Sequence, residues 1–358
     1  MSSDTFFQAE KLLRDGDANA AARMFRDIVE ASPKHVAAWR KYAEALAQLD
    51  DLSGADVAAR TANTVEADHV ADVGASLLFH GDSARARSFF ERALALDPEC
   101  LSAHWLMGEY LATHDERDAA LQHYRKCLEI APDRQGPAFM IAALGDDASP
   151  DRAPDDYVEG FFDWYADHFE THLVDDLKYD GPQHVAAALK AARPEGVGTL
   201  IDLGCGTGLA GAAVRKMADR MIGVDLSPAM LEKAEAKGIY ETLLNLDLVA
   251  ALETLPDHSA DAALAADVLV YVGAIEPVLH ALHRVLKPDA VFIASFEEGR
   301  EIESWELFSA GRYRHCQGYV RRAAAACGFD VTAMSTVSLR EEYSVPVPSL
   351  VVTFHKRP

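Results

Sequence analysis

The sequence predicts two architectures in one chain: an all-α helical repeat array over residues 1–134, then a Rossmann-like, doubly wound α/β domain over residues 181–358. Three observations predict this. Apolar and small residues in the first third recur at a period of 34 residues. After residue 181, short apolar strands alternate with amphipathic helices. A glycine-rich turn, "IDLGCGTGLAG", joins the first of those strands to the next helix. A chain of 358 residues is also too long for one ordinary core.

The bulk composition narrows the function. At 49% hydrophobic and 25% charged residues it suits a soluble globular protein rather than a disordered one. No apolar run approaches membrane-spanning length, and "MSSDTFFQAE" lacks the basic and apolar regions of a signal peptide, so a cytoplasmic chain with no membrane partner is expected. The five cysteines (Cys100, Cys127, Cys205, Cys316, Cys327) are scattered with no C-x-x-C pair, which predicts free thiols and no zinc site. A net charge of −23 disfavours a nucleic-acid partner, because that affinity comes from clustered Lys and Arg. The one short basic stretch is "GRYRHC…YVRR" near 311–322.

The repeats come first along the chain. Gly74, Leu77, Phe90 and Pro98 recur as Gly108, Leu111, Tyr124 and Pro132. Ala9, Gly16, Ala21, Phe25 and Pro33 carry the same spacing, and Trp39, Ala43, Leu46, Ala55 and Ala59 a weaker copy. Small residues let helices approach, large ones fill the gap, and prolines separate units. The pattern resembles the tetratricopeptide repeat, which implies four antiparallel helix pairs. The second unit is short and lacks its closing proline. The resemblance implies either a groove for a protein partner or self-association. His35, His69, His104, His114 and His123 share no ligand spacing.

Residues 135–156, rich in Pro, Asp, Ala and Gly, read as an interdomain connection. Residues 157–180 follow as a helical lid, with Tyr157, Phe161, Trp164, Tyr165, Phe169, His172 and Leu173 on one helical face. The stretch resembles the segment preceding the catalytic domain in bacterial repeat-containing methyltransferases. That resemblance implies Phe161 and Tyr165 near the methionine end of the cofactor.

In the α/β domain, "TLIDL", "MIGVDL", "TLLNLDL", "AALAAD" and "VFIASF" read as strands. "QHVAAALKAA", "GLAGAAVRKMA", "SPAMLEKAEAKG" and "EPVLHALHRVLKP" read as helices. "CGFDVTAMSTVSLR" and "PSLVVTFHK" read as two long strands joined by a loop of about ten residues. The expected sheet has seven strands, with an antiparallel C-terminal hairpin closing its edge.

The glycine turn parses in two ways. Gly206, Gly208 and Gly211 spell the G-x-G-x-x-G of dinucleotide-binding dehydrogenases. Gly204, Gly206 and Gly208 instead resemble the E/D-x-G-x-G-x-G loop of S-adenosylmethionine (SAM) methyltransferases. Both ligands exploit close backbone approach and free N–H groups at a helix start. The acids decide between them. Asp202, inside the strand just before the turn, repels a diphosphate and welcomes the cationic amino end of SAM. Asp225 ends the second strand, where it can accept both ribose hydroxyls. Asp247 and Asp267 end the third and fourth, toward the adenine amino group and the acceptor side.

Nearly the whole chain therefore resembles a repeat-containing class I methyltransferase. The resemblance implies SAM as cofactor and S-adenosylhomocysteine (SAH) as product. It places Asp202, Gly204, Cys205, Gly206, Gly208, Leu209 and Asp225 around the methionine and ribose. Leu226, Met230, Asp247 and Leu248 then lie around the adenine, with Asp267, Tyr165 and Phe161 toward the methyl group.

An oxygen acceptor would need a proton acceptor, whereas a partly ionised thiol needs little help. His315 ranks first for that role, then His172 and His168 on the lid, with Tyr271 and Tyr313 lining the acceptor space. His280 and His283 lack a third ligand, so no metal is expected. The favoured reading is a methyltransferase acting on a small-molecule oxygen or sulfur nucleophile. The alternatives are a protein or peptide methyltransferase whose repeats dock the polypeptide, and a non-catalytic adaptor on a methyltransferase scaffold.

Overall fold

The computed structural model describes residues 3–145, 147–171, 173, 177–300, 302–342 and 345–357. The chain divides into two compact units, Met1–Asp133 and Arg134–Pro358.

Unit 1 is helical: α1 (Ser3–Arg14), α2 (Ala18–Ala31), α3 (Val36–Gln48), α4 (Leu52–Phe79), α5 (Ser83–Leu96), α6 (Leu101–Thr113) and α7 (Arg117–Ile130). The α1–α2, α3–α4, α4–α5 and α6–α7 turns each carry a left-handed residue (Gly16, Asp50, Gly81, Asp115), followed at once by an acidic N-cap (Asp17, Asp51, Asp82, Glu116). The first three caps accept a backbone N–H, satisfying a donor that the helix start would otherwise orphan. The period is visible in packing. A Cβ on Gly74 would sit 2.6 Å from the Phe90 ring, and one on Gly108 would sit 2.8 Å from the Tyr124 ring. The same glycine-on-aromatic contact thus recurs one repeat later. The second unit differs from expectation. With neither proline nor glycine between Ala55 and Val73, its second helix runs unbroken into the third unit's first helix. The result is the single 28-residue α4. The cores on either side of it are separate clusters, one around Phe25 and one around Ala71 and Ala93.

Unit 2 begins earlier than expected. The presumed connection holds α8 (Gly136–Ala143), buried at every residue but Ala138. Phe139 packs on Tyr157 and Tyr313, with ring centroids 4.9 and 6.1 Å apart. Further on, Arg152 bridges Val272, and the Asp151 carbonyl accepts from the Gly273 and Ala274 N–H groups. Residues 134–156 are therefore part of the domain, not a spacer. The lid follows as α9 (Asp155–Tyr165) and the short α10 (Phe169–Thr171), then α11 (Gly181–Ala192).

The sheet is built from β1 (Val197–Leu203), β2 (Ala218–Asp225), β3 (Thr242–Asn245), β4 (Ala260–Ala265) and β5 (Leu286–Glu298), parallel in the order β3-β2-β1-β4-β5. Helices α12 (Leu209–Val214), α13 (Pro228–Ala236), α14 (Leu248–Thr254), α15 (Glu276–Val285) and α16 (Gln317–Ala326) cross between or flank the strands. Among the described residues the sheet has nine strands rather than seven. The extra pair is the antiparallel hairpin β6 (Trp305–Phe308) and β7 (Arg312–His315), with β7 joining β5 beyond the last β4 partner. The C-terminal pair β8 (Phe329–Glu342) and β9 (Val345–Lys356) is antiparallel as expected, with β9 against β5. Both strands run longer than the sequence suggested, so two residues rather than about ten separate them.

The core lies between the sheet and α14, α15 and α16, around Ile201, Val224, Leu282, Phe292 and Phe354. Strand order reverses between β1 and β4, and in such sheets the ligand crevice opens beyond the carboxyl ends of the strands at that reversal. Among the described residues no helix is long and apolar enough to cross a membrane.

Candidate active site

The turn after β1 carries the site. Gly204, Gly206 and Gly208 all have positive φ (64°, 53° and 88°), the left-handed region where a side chain is strained. Among the described residues, a Cβ on Gly206 would meet the Phe169 ring alone, at 3.9 Å. Gly211, the last glycine of the dinucleotide parse, has a different reason to be glycine. A Cβ at this position would sit 2.1 Å from the Tyr240 hydroxyl and 3.0 Å from Asp202 Oδ2. It clears the way for Tyr240, which donates to Asp202 Oδ2 at 2.7 Å. Cys205 is buried, and its N–H donates to the Val224 carbonyl, tying the turn to β2; Leu209 opens α12.

Asp202 is fully buried, and its Oδ1 has no hydrogen-bond partner among the described residues. Burial pushes its carboxyl up to about 7; the Tyr240 hydroxyl pulls it back, while the charge on Asp225 raises it further. A buried carboxylate with one vacant oxygen at a glycine turn fits a ligand ammonium group. Tyr240 escaped the sequence reading. It sits before β3 outside any pattern, and only the tertiary fold brings it to Asp202.

Asp225 ends β2 as expected. Its Oδ2 accepts from Gly206 N–H at 2.8 Å and its Oδ1 from Ser227 N–H at 2.9 Å, so the carboxylate is held rigidly beside the turn. Burial raises its carboxyl, and these backbone donors oppose that. Both oxygens keep lone pairs for a vicinal diol. Leu226 is half-buried and its carbonyl accepts from Asn245. Met230 is fully buried, and Leu248 packs on the main core.

Two acids sit differently from expectation. Asp247 lies past the end of β3 and caps α14. Its Oδ1 accepts from Ala250 N–H at 2.7 Å, and its Oδ2 pairs with Arg152 at the same distance. Asp267 lies past the end of β4 with a φ of 58°. Its N–H donates to the Ser295 hydroxyl, and its Oδ1 pairs with Arg340 at 2.6 Å. Arg340 also donates to Glu297 and Glu342, and Arg312 bonds the same two acids. A bulge in β8 between Ser338 and Glu341 explains how both Leu339 and Arg340 are buried, since strict alternation would expose one of them. This ion-pair network, on the β4–β5 side of the crevice, had no sequence signature. Its members are scattered from 267 to 342.

The lid aromatics form a connected set: Phe161–Tyr165, Tyr165–Phe169, Phe162–Phe169 and Phe162–Tyr271 have centroids 5.2–6.1 Å apart. Tyr165 is buried and Phe161 is 38% exposed, but the ring that reaches the glycine turn is Phe169. Tyr271 is half-buried beneath Phe162, and burial pushes its hydroxyl up to about 12.

The first-ranked histidine does not reach the crevice. His315 is fully buried in β7. Its Nε2 bonds the Gly273 carbonyl at 3.0 Å, its Nδ1 has no partner, and desolvation lowers it to about 4. Its ring stacks near Tyr319, with centroids 5.9 Å apart, so it is a packing residue, not a base at the crevice. Tyr313 is likewise core, donating to the Pro150 carbonyl at 2.7 Å and wedged against Trp305. His168 is exposed on the lid, and His172 lies outside the described residues. No group of three or more metal-ligating side chains occurs among the described residues.

The chain matches the Methyltransferase domain family over residues 201–294, the span from β1 to β5, and the Tetratricopeptide repeat family over 8–64 and 74–134. It therefore carries tetratricopeptide repeats and a methyltransferase domain. Its relatives include the biotin biosynthesis bifunctional protein BioHC of Saccharophagus degradans, 30% identical over 115 residues (32% of this chain, 21% of that protein). Human methyltransferase-like protein 27 is 35% identical over 86 residues (23% of this chain, 35% of that protein). The chain thus spans about a fifth and a third of these two proteins. Among solved structures, the Burkholderia thailandensis 1,6-didemethyltoxoflavin-N1-methyltransferase aligns with a TM-score of 0.48 at 20% identity, over 59% of this chain and 94% of that one.

Proposed function

We propose that unit 2 binds SAM and transfers its methyl group to a small-molecule oxygen or sulfur acceptor by in-line displacement. The observation that carries this reading is the vacant, buried Asp202 oxygen at a glycine turn whose neighbouring strand ends in Asp225. That pairing supplies a seat for an ammonium group and for a ribose diol. A diphosphate at the same turn would meet two carboxylates.

When bound, the cofactor supplies a methyl group already activated by its positive sulfur. The residues of the chain then have three tasks. Asp202 and Asp225 fix the two ends of the ligand. The lid, through Phe169 and the rings behind it, excludes water from the turn. Asp267, held by Arg340, presents a fixed carboxylate on the acceptor side, where it can accept from an acceptor hydroxyl. Its backbone conformation, unusual for a non-glycine residue, is consistent with a functional position.

The repeats favour a second reading, in which they dock a polypeptide acceptor. One experiment separates the two. The protein is incubated with methyl-labelled SAM and a lysate split into low-molecular-weight and macromolecular fractions. Label in the small-molecule fraction supports the proposal. Label confined to polypeptide supports docking. No transfer to either fraction, with SAH bound, leaves the adaptor reading.

A further inference from the structure

The lid is joined to α13 by a ladder of polar contacts outside the cofactor turn. Lys233 lies in the last turn of α13, and Lys237, four residues on, caps its C-terminus. Lys233 Nζ lies 3.0 Å from Asp167 Oδ1, and Lys237 Nζ lies 2.5 Å from Glu170 Oε1. Closer to β2, Asp163 Oδ1 accepts from the Ser227 hydroxyl at 2.5 Å and from Ala229 N–H at 3.2 Å. Ser227 itself caps α13 through Met230 N–H and donates nothing to solvent, being fully buried. Asp163 lies on α9, Asp167 in the turn after it and Glu170 on α10, so the three acids reach α13 from three successive pieces of the lid. Phe169, the ring over Gly206, lies between the last two of them.

We propose that this ladder is a latch that sets how long the cofactor stays bound, with Asp163, Lys233 and Lys237 as its positioning residues. The inference rests on the reading of the glycine turn as a SAM site. Its physical basis is a division of labour. The aromatic underside of the lid covers the turn. The ladder fixes the lid's position along α13. The Lys233–Asp167 pair is exposed (37% and 83%) and the Lys237–Glu170 pair partly so (28% and 44%), so both keep contact with solvent and are screened by salt. Weak contacts suit an element that must open for product to leave in every cycle. A fully buried pair would hold it shut.

The test uses the full-length chain and SAH, with association and dissociation rates read by surface plasmon resonance. Raising NaCl from about 50 mM to about 1 M should speed dissociation several-fold while association changes little. K233E/K237E should release SAH about tenfold faster at low salt, the combined effect of two weak pairs turned repulsive. Adding D167K and E170K to that variant should restore the slow rate, which a merely structural role for the lysines would not do. Asp163→Ala should also speed release. A dissociation rate unchanged in K233E/K237E, or unrescued in the charge-swapped variant, overturns the latch. If wild-type protein fails to bind SAH at all, the cofactor reading falls first and the latch with it.

Discussion

Replacing Asp202 by Asn removes one charge from a fully buried site while keeping its shape, and the consequences can be worked out in advance. Burial raises this carboxyl from 3.8 to about 7. Below about pH 4 both folded and unfolded chains hold the proton. As pH rises toward 7 the unfolded chain releases it first, so the unliganded fold loses about 4 kcal/mol over that window. A ligand ammonium on the vacant oxygen favours the ionised form and reverses the effect. SAH binding should therefore release close to one proton at about pH 6 and be about tenfold tighter at about pH 8. Asp202→Asn should abolish the proton release and flatten the pH dependence. Losing a charge-assisted hydrogen bond of about 1.5–3 kcal/mol should weaken SAH by roughly 10- to 150-fold. The unliganded variant should unfold at higher denaturant than wild type at about pH 8. Calorimetry in two buffers of different ionisation enthalpy counts the proton directly. Equal SAH affinity in the variant, or no proton released at about pH 6, would refute the assignment.

Other expectations follow from the packing. His315, lowered from 6.5 to about 4, stabilises the fold fully above about pH 6.5 and loses about 3 kcal/mol as pH falls toward 4. His315→Gln should remove that acid-sensitive segment from urea midpoints while SAH affinity stays unchanged. Gly108→Ala, which drives a methyl into the Tyr124 ring, should cost unit 1 about 1–3 kcal/mol, seen as an earlier thermal transition. Removing residues 1–133 should leave a folded, SAH-binding unit 2. Removing residues 1–150 should yield an insoluble or poorly folded product, because it strips α8 with its buried Phe139 and Met140.

Much of this fold follows from short-range pattern. Strand β1, the glycine turn, β2 ending at Asp225, and α13 with Ser227 as cap are all set by periodicity and capping within about thirty residues. The repeats were legible for the same reason, because each glycine has its aromatic partner a fixed distance along the chain. What escaped depends on long-range approach. The sequence shows no break in α4, but reading that absence as a continuous helix requires trusting the missing proline over the repeat period. Tyr240 reaches Asp202 only because β3 lies beside β2. Residues 135–156 look like a spacer by composition, yet Phe139 and Met140 find a surface made by the β6–β7 hairpin and Tyr157. His315 was attractive as a base because it stands between β5 and α16. Its burial comes from β6, β7 and Tyr319 closing around it, which no local pattern records. The network joining Asp267, Glu297, Arg312, Arg340 and Glu342 likewise spans strands far apart in sequence.

The account turns on which ligand the glycine turn accepts, and a direct titration decides it. Purified full-length protein is titrated by calorimetry with SAH and, separately, with NAD and NADH at about pH 8. One SAH should bind saturably per chain, with no heat from either dinucleotide. Stoichiometric NAD or NADH binding with SAH inert would contradict it.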